Sequence, residues 1–217
     1  QKTSLADYVK RMPSDQKDIY YLITSSREAA ESSPYFEVFA SRKWEVLFLY
    51  DPWDEFVMDH LREFDGKKLE AADRTDLQVE QPQKRENELT DDQAKALAEW
   101  MKKSLGEKVT EVRASKRLVD SPALVKDSEG AMGAQMRRIM KTINRGGPEL
   151  EQKLDLEINL AHPLIVRLEN IRQSNESLAG KVAEQLFDNA RIAAGLLEDP
   201  RTMLKRLNEI LEQALAK

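Results

Sequence analysis

KDIYYLITSSREAAESSPYFEVFASRKWEVLFLYDPWDEFVMDHLREFDG (17–66) decides the fold class. Residues 17–24 are β-branched and aromatic, the composition of a strand. Ser25 and Glu28 follow at the spacing of a capping box, so a helix opens there and runs to about Arg42, with a kink or fresh turn at Pro34. WEVLFLY (44–50) is a short apolar run suited to a strand buried on both faces. Asp51 then reads as an N-cap, Pro52 as the first helical position and Gly66 as the stop. Strand, helix, strand, helix predicts a small parallel α/β layer.

Outward from this stretch the composition changes. AADRTDLQVEQPQKRENELTDD (71–92) is polar and charged, a connector spanning roughly 25 Å if it is a flexible coil. Thr90 and Gln93 form a second capping box, opening the helix DQAKALAEWMKKSLG that Gly106 closes. VTEVRASKRLV and SPALVKD read as strands broken at Ser121-Pro122. LDLEINL (154–160) alternates, with Leu154, Leu156, Ile158 and Leu160 on one face and Asp155, Glu157 and Asn159 on the other, which predicts a half-buried strand. Beyond His162-Pro163 the pattern is helical, with one helix over about 175–197 and a last one capped by Asp199-Pro200. The fold class is therefore α/β followed by α+β. The expected boundaries are 1–72, a charged linker at 73–92, and a C-terminal domain at 93–217 ending in two long helices.

Bulk composition narrows the function. The 217 residues carry 34 basic and 39 acidic side chains, a net charge of -5, so coating nucleic acid or an anionic membrane is not the expected role. There is no cysteine, which removes thiolate chemistry and disulfides. No apolar run approaches the ~20 residues that cross a bilayer. The opening residues Leu5, Tyr8, Val9 and Met12 read as a helix already under way, so the chain is expected to be a fragment of a longer protein.

Catalytic apparatus is nearly absent from the pattern. There is no Walker-type glycine loop and no GxGxxG after a strand. His60 and His162 lie in no metal-ligand spacing. Asp51, Asp54, Glu55 and Asp59 cluster in the first turns of a helix, where the macrodipole already favours negative charge.

Two apolar patterns remain. In AMGAQMRRIMKTINR (131–145), Met132, Met136, Ile139, Met140 and Ile143 form one helical stripe surrounded by Arg137, Arg138, Lys141 and Arg145. That stripe suits packing within its own domain, an adaptable binding surface, or, with no aromatic platform nearby, a basic helix for nucleic acid. In the last two helices Leu178, Val182, Leu186, Ala190, Ala193 and Leu197 step by three or four, as do Met203, Leu207, Ile210 and Ala214. The final helix adds Leu204, Leu211 and Leu215, more than one stripe needs. A helix apolar on two sides needs two neighbours, and a second subunit supplies one in a two-fold four-helix contact.

QKDIYYL (16–22), SPYFEVF (33–39), DPWDEFVMDHLREFDGKKL (51–69), SPALV (121–125), AMGAQMRRIMK (131–141) and EINLAHPLI (157–165) together resemble the heat shock protein 90 chaperone family, in its bacterial and organellar branch. Their order fits the end of that family's middle segment followed by its C-terminal dimerisation domain. The resemblance implies an ATP-dependent molecular chaperone acting in protein folding and the stress response. It implies homodimerisation through the last two helices, with Leu186, Ala190, Ala193, Leu197, Met203, Leu207, Ile210 and Leu211 as candidate contacts. It implies non-native client proteins bound along Met132, Met136, Ile139, Met140 and Ile143. Trp44, Trp53 and Phe56 fall in a portion that helps contact clients in the family, although core packing is the expectation for each. ATP and magnesium belong to an N-terminal domain not contained here, so no cofactor and no enzyme activity are expected of this chain. A cytoplasmic location is implied, with an organellar one open. The alternative is a structural dimerisation module whose client contacts lie elsewhere.

Overall fold

Strand β1 (Ile19–Ile23) runs between two parallel neighbours, β2 (Val46–Leu49) and β4 (Lys67–Ala71), in a computed structural model that describes residues 2–51, 53–73, 87–127, 154–197 and 199–216. The described residues divide into two compact units, one ending at 73 and one starting at 87. Both are mixed α/β.

In the first unit β3 (Glu63–Phe64) pairs antiparallel with β4, giving the sheet order β2-β1-β4-β3. Helices α1 (Leu5–Arg11), α2 (Arg27–Glu31), α3 (Glu37–Arg42) and α4 (Asp54–Leu61) accompany it. Tyr8, Ile19, Tyr21, Leu69 and Ala71 form a core with Met58 packed against it, while Tyr20 stacks on Trp44 at 5.6 Å and meets Phe39 at a tilt of 51° and 4.8 Å. As an inner strand of this sheet, β1 buries side chains on both faces. Trp44 is thus packed, and its indole Nε1–H donates to Asp15 at 2.9 Å.

A buried hydroxyl bridges the start of the β1–β2 ladder. Tyr8 donates to the Glu45 carbonyl, and accepts from the Tyr20 amide at 3.0 Å and from Gln16 Nε2 at 2.6 Å. Gln16 Oε1 in turn accepts from the Glu45 amide at 2.9 Å. Two side chains thereby replace a missing backbone pair. Burial raises the Tyr8 phenol far above its ordinary pKa, so it stays a donor.

The local departures from the sequence reading have physical causes. Helices α2 and α3 separate around Pro34, as expected, but the cap is Ser26 rather than Ser25: its hydroxyl accepts from the Ala29 amide at 3.1 Å. Strand β2 is not buried on both faces; it is an edge strand, half-buried along its length. Asp51 does not cap α4 directly but accepts from the Trp53 amide at 3.0 Å, one turn ahead of it. Gly66 does not stop α4, which ends at Leu61 with Arg62 at positive φ. Asp65 and Gly66 (φ +51 and +70) instead form the two-residue turn of the β3–β4 hairpin, which wants left-handed residues at both positions.

In the second unit α5 (Asp91–Leu105) carries the expected capping box, with Thr90 and Gln93 each satisfying the other's backbone amide. Leu89, placed in the connector by composition, is buried in this unit's core. Strands β5 (Glu111–Ala114), β6 (Ala123–Asp127) and β7 (Leu154–Ile158) follow in the order β5-β7-β6, parallel on one side of β7 and antiparallel on the other. Then come α6 (Pro163–Ile171), α7 (Glu176–Ala193) and α8 (Arg201–Leu215). Leu97, Met101, Leu156, Ile158, Ile165, Leu168, Ala183 and Phe187 meet in the core.

The half-burial expected of LDLEINL is overturned. Every residue of β7 is buried, its polar face included. Glu157 accepts from Arg113 at 2.8 Å and from Ser115 at 3.0 Å. The Asn159 amide donates to the Val119 and Ser121 carbonyls at 3.2 and 3.1 Å. Asp155 is the costly member: one carboxylate oxygen has no hydrogen-bond partner, and desolvation raises its pKa against the pull of Arg113.

Candidate functional site

The seam between α7 and α8 positions the most distinctive surface of the second unit. Asn175 caps α7 by accepting from the Leu178 amide at 3.1 Å, and Asp199 accepts from the Arg201 amide at 3.0 Å at the start of α8. Between the helices Arg206 is buried, held by Glu184 at 2.6 Å and by Asp188. Lys181 meets Glu209 at 2.7 Å, which lowers the Glu209 pKa. Lys108 lies 3.3 Å from Glu184, and Arg191 lies 3.3 Å from Asp188.

This seam sorts the candidate dimer contacts into inner and outer positions. Leu186 and Ala190 are buried in the unit's own core, and Met203 is buried as well. Leu207, Ile210 and Leu197 are half-buried, and Ala193 is exposed. Leu211 is 50% exposed, alongside Leu204 at 48%, Leu215 at 84% and Ile192 at 48%. The outer apolar residues are therefore Leu204, Leu211 and Leu215 on α8, with Ile192 exposed on α7. Leu204, Leu211 and Leu215 are the surplus apolar residues of the final helix, whereas Ile192 falls outside the stepping read on α7 and was missed.

A second exposed apolar row runs from the N-cap of α4 along that helix in the first unit. Trp53, Val57 and Leu61 recur every four residues and are 65%, 54% and 39% exposed, with Tyr50 exposed just ahead. Phe56, half-buried, stacks on Trp53 at 5.3 Å. Trp44 is half-buried with its ring stacked on Tyr20, whereas the expectation of core packing fails for Trp53.

The remaining polar candidates have local structural partners. Glu55 is fully buried while Asp51 and Asp59 are exposed, so the acids do not converge. Among the described residues no group of three or more His, Cys, Asp or Glu is placed to hold a metal ion. His60 Nδ1 lies 2.7 Å from the Phe56 carbonyl, and His162 Nδ1 caps α6 by accepting from the Leu164 amide at 3.1 Å. Among the described residues no helix is long and apolar enough to cross a membrane. Met132, Met136, Ile139, Met140 and Ile143 lie outside the described residues.

Comparison with known proteins accounts for the whole chain. The family model described as "Hsp90 protein" matches residues 1–217. "Chaperone protein HtpG" of Desulfitobacterium hafniense is 46% identical over 215 residues, covering 98% of this chain and 34% of that protein. Its namesake in Desulfotalea psychrophila is 40% identical over 224 residues, covering 99% and 36%. "Heat shock protein 75 kDa, mitochondrial" of Bos taurus is 39% identical over 228 residues, covering 99% and 32%. The chain thus spans about a third of the length of the relatives it matches, which include bacterial and mitochondrial proteins. With two mixed α/β units, the sequence strings that pointed to it and a family match from end to end, the chain belongs to the Hsp90 protein family.

Proposed function

We propose that the chain is part of an ATP-dependent molecular chaperone of protein folding and the stress response, in which it joins two copies and offers apolar surface to non-native polypeptide. The names of its relatives support the chaperone reading. The outer row of α8 is the observation that carries self-association. Leucines 48%, 50% and 84% exposed on a helix already seated on its own unit fit a second copy of that helix. Two helices from each copy would make the contact, with Leu197, Leu207, Ile210 and Ala193 at its margin. Leu186, Ala190 and Met203 would support the helices from inside.

Client binding is assigned on this reading to the methionine stripe at 132–143 and to the α4 row of Trp53, Val57 and Leu61. An aromatic and aliphatic row left in water attracts apolar segments that a native protein hides. ATP binding and hydrolysis are assigned to parts of the parent protein outside this chain. Linking two copies would raise the effective concentration of one arm near the other, so closure in the parent becomes intramolecular. A cytoplasmic or organellar setting follows from the bacterial and mitochondrial relatives. Sedimentation equilibrium over a concentration series tests the first element: a monomer–dimer equilibrium is expected, and a monomer at every concentration overturns it.

A further inference from the structure

Helix α8 carries two apolar sides of three residues each, and their composition alone does not choose which of them faces α7. At about 100° per residue, Met203, Leu207 and Ile210 occupy one side, while Leu204, Leu211 and Leu215 centre on a side roughly 100° further round. The first set is buried or half-buried, and the second is exposed. A helix rolled by one residue would bury the three leucines instead. It would also carry Arg206 into water, where a guanidinium is best solvated.

The observed seat accepts the opposite arrangement. The Arg206 side chain is only 8% exposed, and its Nε has no hydrogen-bond partner. What holds it there is coded on α7. Glu184 and Asp188 stand four apart, where like charges repel unless a cation lies between them. Arg206 is that cation, bonding both carboxylates. One turn along α8, Glu209 answers Lys181 with the opposite polarity, so the two pairs together fit a single antiparallel register. The unit's main core cluster, by contrast, contains no α8 residue.

We propose that Arg206 is a positioning residue that selects the rotational register of α8 and so determines which apolar row faces outward. Buried ionic contacts add little net stability, and fixing a register is their best-attested use. Its effect on self-association rests on the dimer reading above; the register itself does not.

The chain has no cysteine, so Met203→Cys supplies a single thiol on the inner side of α8. With Arg206 in place that thiol should react slowly with a soluble alkylating reagent. In the Arg206→Met background it should react about tenfold faster, while α8 amides still exchange about tenfold more slowly than in an unstructured peptide. Arg206→Lys, which keeps the charge but reaches one acid, should largely restore protection. An unchanged thiol rate overturns the proposal. So does a faster rate with loss of α8 amide protection, because Arg206 would then merely tether the helix. In sedimentation equilibrium Arg206→Met should weaken the dimer about tenfold, a change equivalent to 1.4 kcal/mol. A wild-type chain that never dimerises would sink the dimer reading, and the thiol and amide rates would still judge the register.

Discussion

Replacing Leu211 with glutamine isolates the outer row of α8. Leu211 is 50% exposed and stands beyond the Arg206 contact, so its inward packing is modest. Glutamine keeps the length and much of the helix propensity of leucine, so the helix itself should persist. Full burial of a leucine side chain contributes about 1.5–3 kcal/mol, and the half left in water here accounts for about 0.8–1.5 kcal/mol. A two-fold contact uses each residue twice, which gives about 1.5–3 kcal/mol per dimer. The dimer dissociation constant should therefore rise about ten- to a hundredfold. The assay is sedimentation equilibrium, with thermal melting at a concentration where both proteins are monomeric. Equal melting with a weaker dimer supports the account. A dissociation constant unchanged within about threefold refutes it, since even the low end of the burial estimate exceeds that shift.

Three further predictions concern stability. Tyr8→Phe leaves the Tyr20 amide and the Glu45 carbonyl without their hydroxyl partner and should cost about 1–3 kcal/mol in denaturant melts. Gly66→Ala should cost about 1 kcal/mol, because its φ of +70 strains an alanine while the space around it is open; asparagine at that position should recover part of the loss. Asp155→Asn tests the buried carboxylate. Its folded pKa is raised above the ordinary value of 3.8, so ionisation weakens the fold as pH rises through the folded pKa. The variant should melt higher than wild type at neutral pH, and the difference should shrink as pH falls toward 3.8; a constant difference across that range contradicts the assignment.

Local signals carried much of the fold. The Thr90–Gln93 box, the strand–helix–strand order around β1 and the break at Pro34 depend on neighbours within a few residues, and each is where the pattern placed it. The Asp65–Gly66 turn was equally local: a DG pair ahead of KKLEA is a hairpin signal, obscured by reading the glycine as a helix stop. Tertiary partners decided the rest. Nothing near Asp155 or Glu157 in sequence announces that Arg113 and Ser115 lie across the sheet, so alternation suggested a wet face that is buried. The Tyr8–Gln16–Glu45 contact likewise joins residues 29 and 37 positions apart. For the candidate interface, periodicity found the two apolar helices but not which side of α8 faced home. That choice depends on Arg206 meeting acids 18 and 22 residues earlier.

The three tryptophans allow the most direct test of the chaperone reading. Indole NMR signals can be followed as a non-native protein is titrated in, with its native form as control. Trp53, 65% exposed at the N-cap of α4, is the reporter, and Trp44, stacked on Tyr20, is the internal reference. The Trp53 indole should shift or broaden with the non-native protein alone while Trp44 stays still. A Trp53 signal that ignores both forms, or that responds equally to native protein, would contradict the chaperone reading.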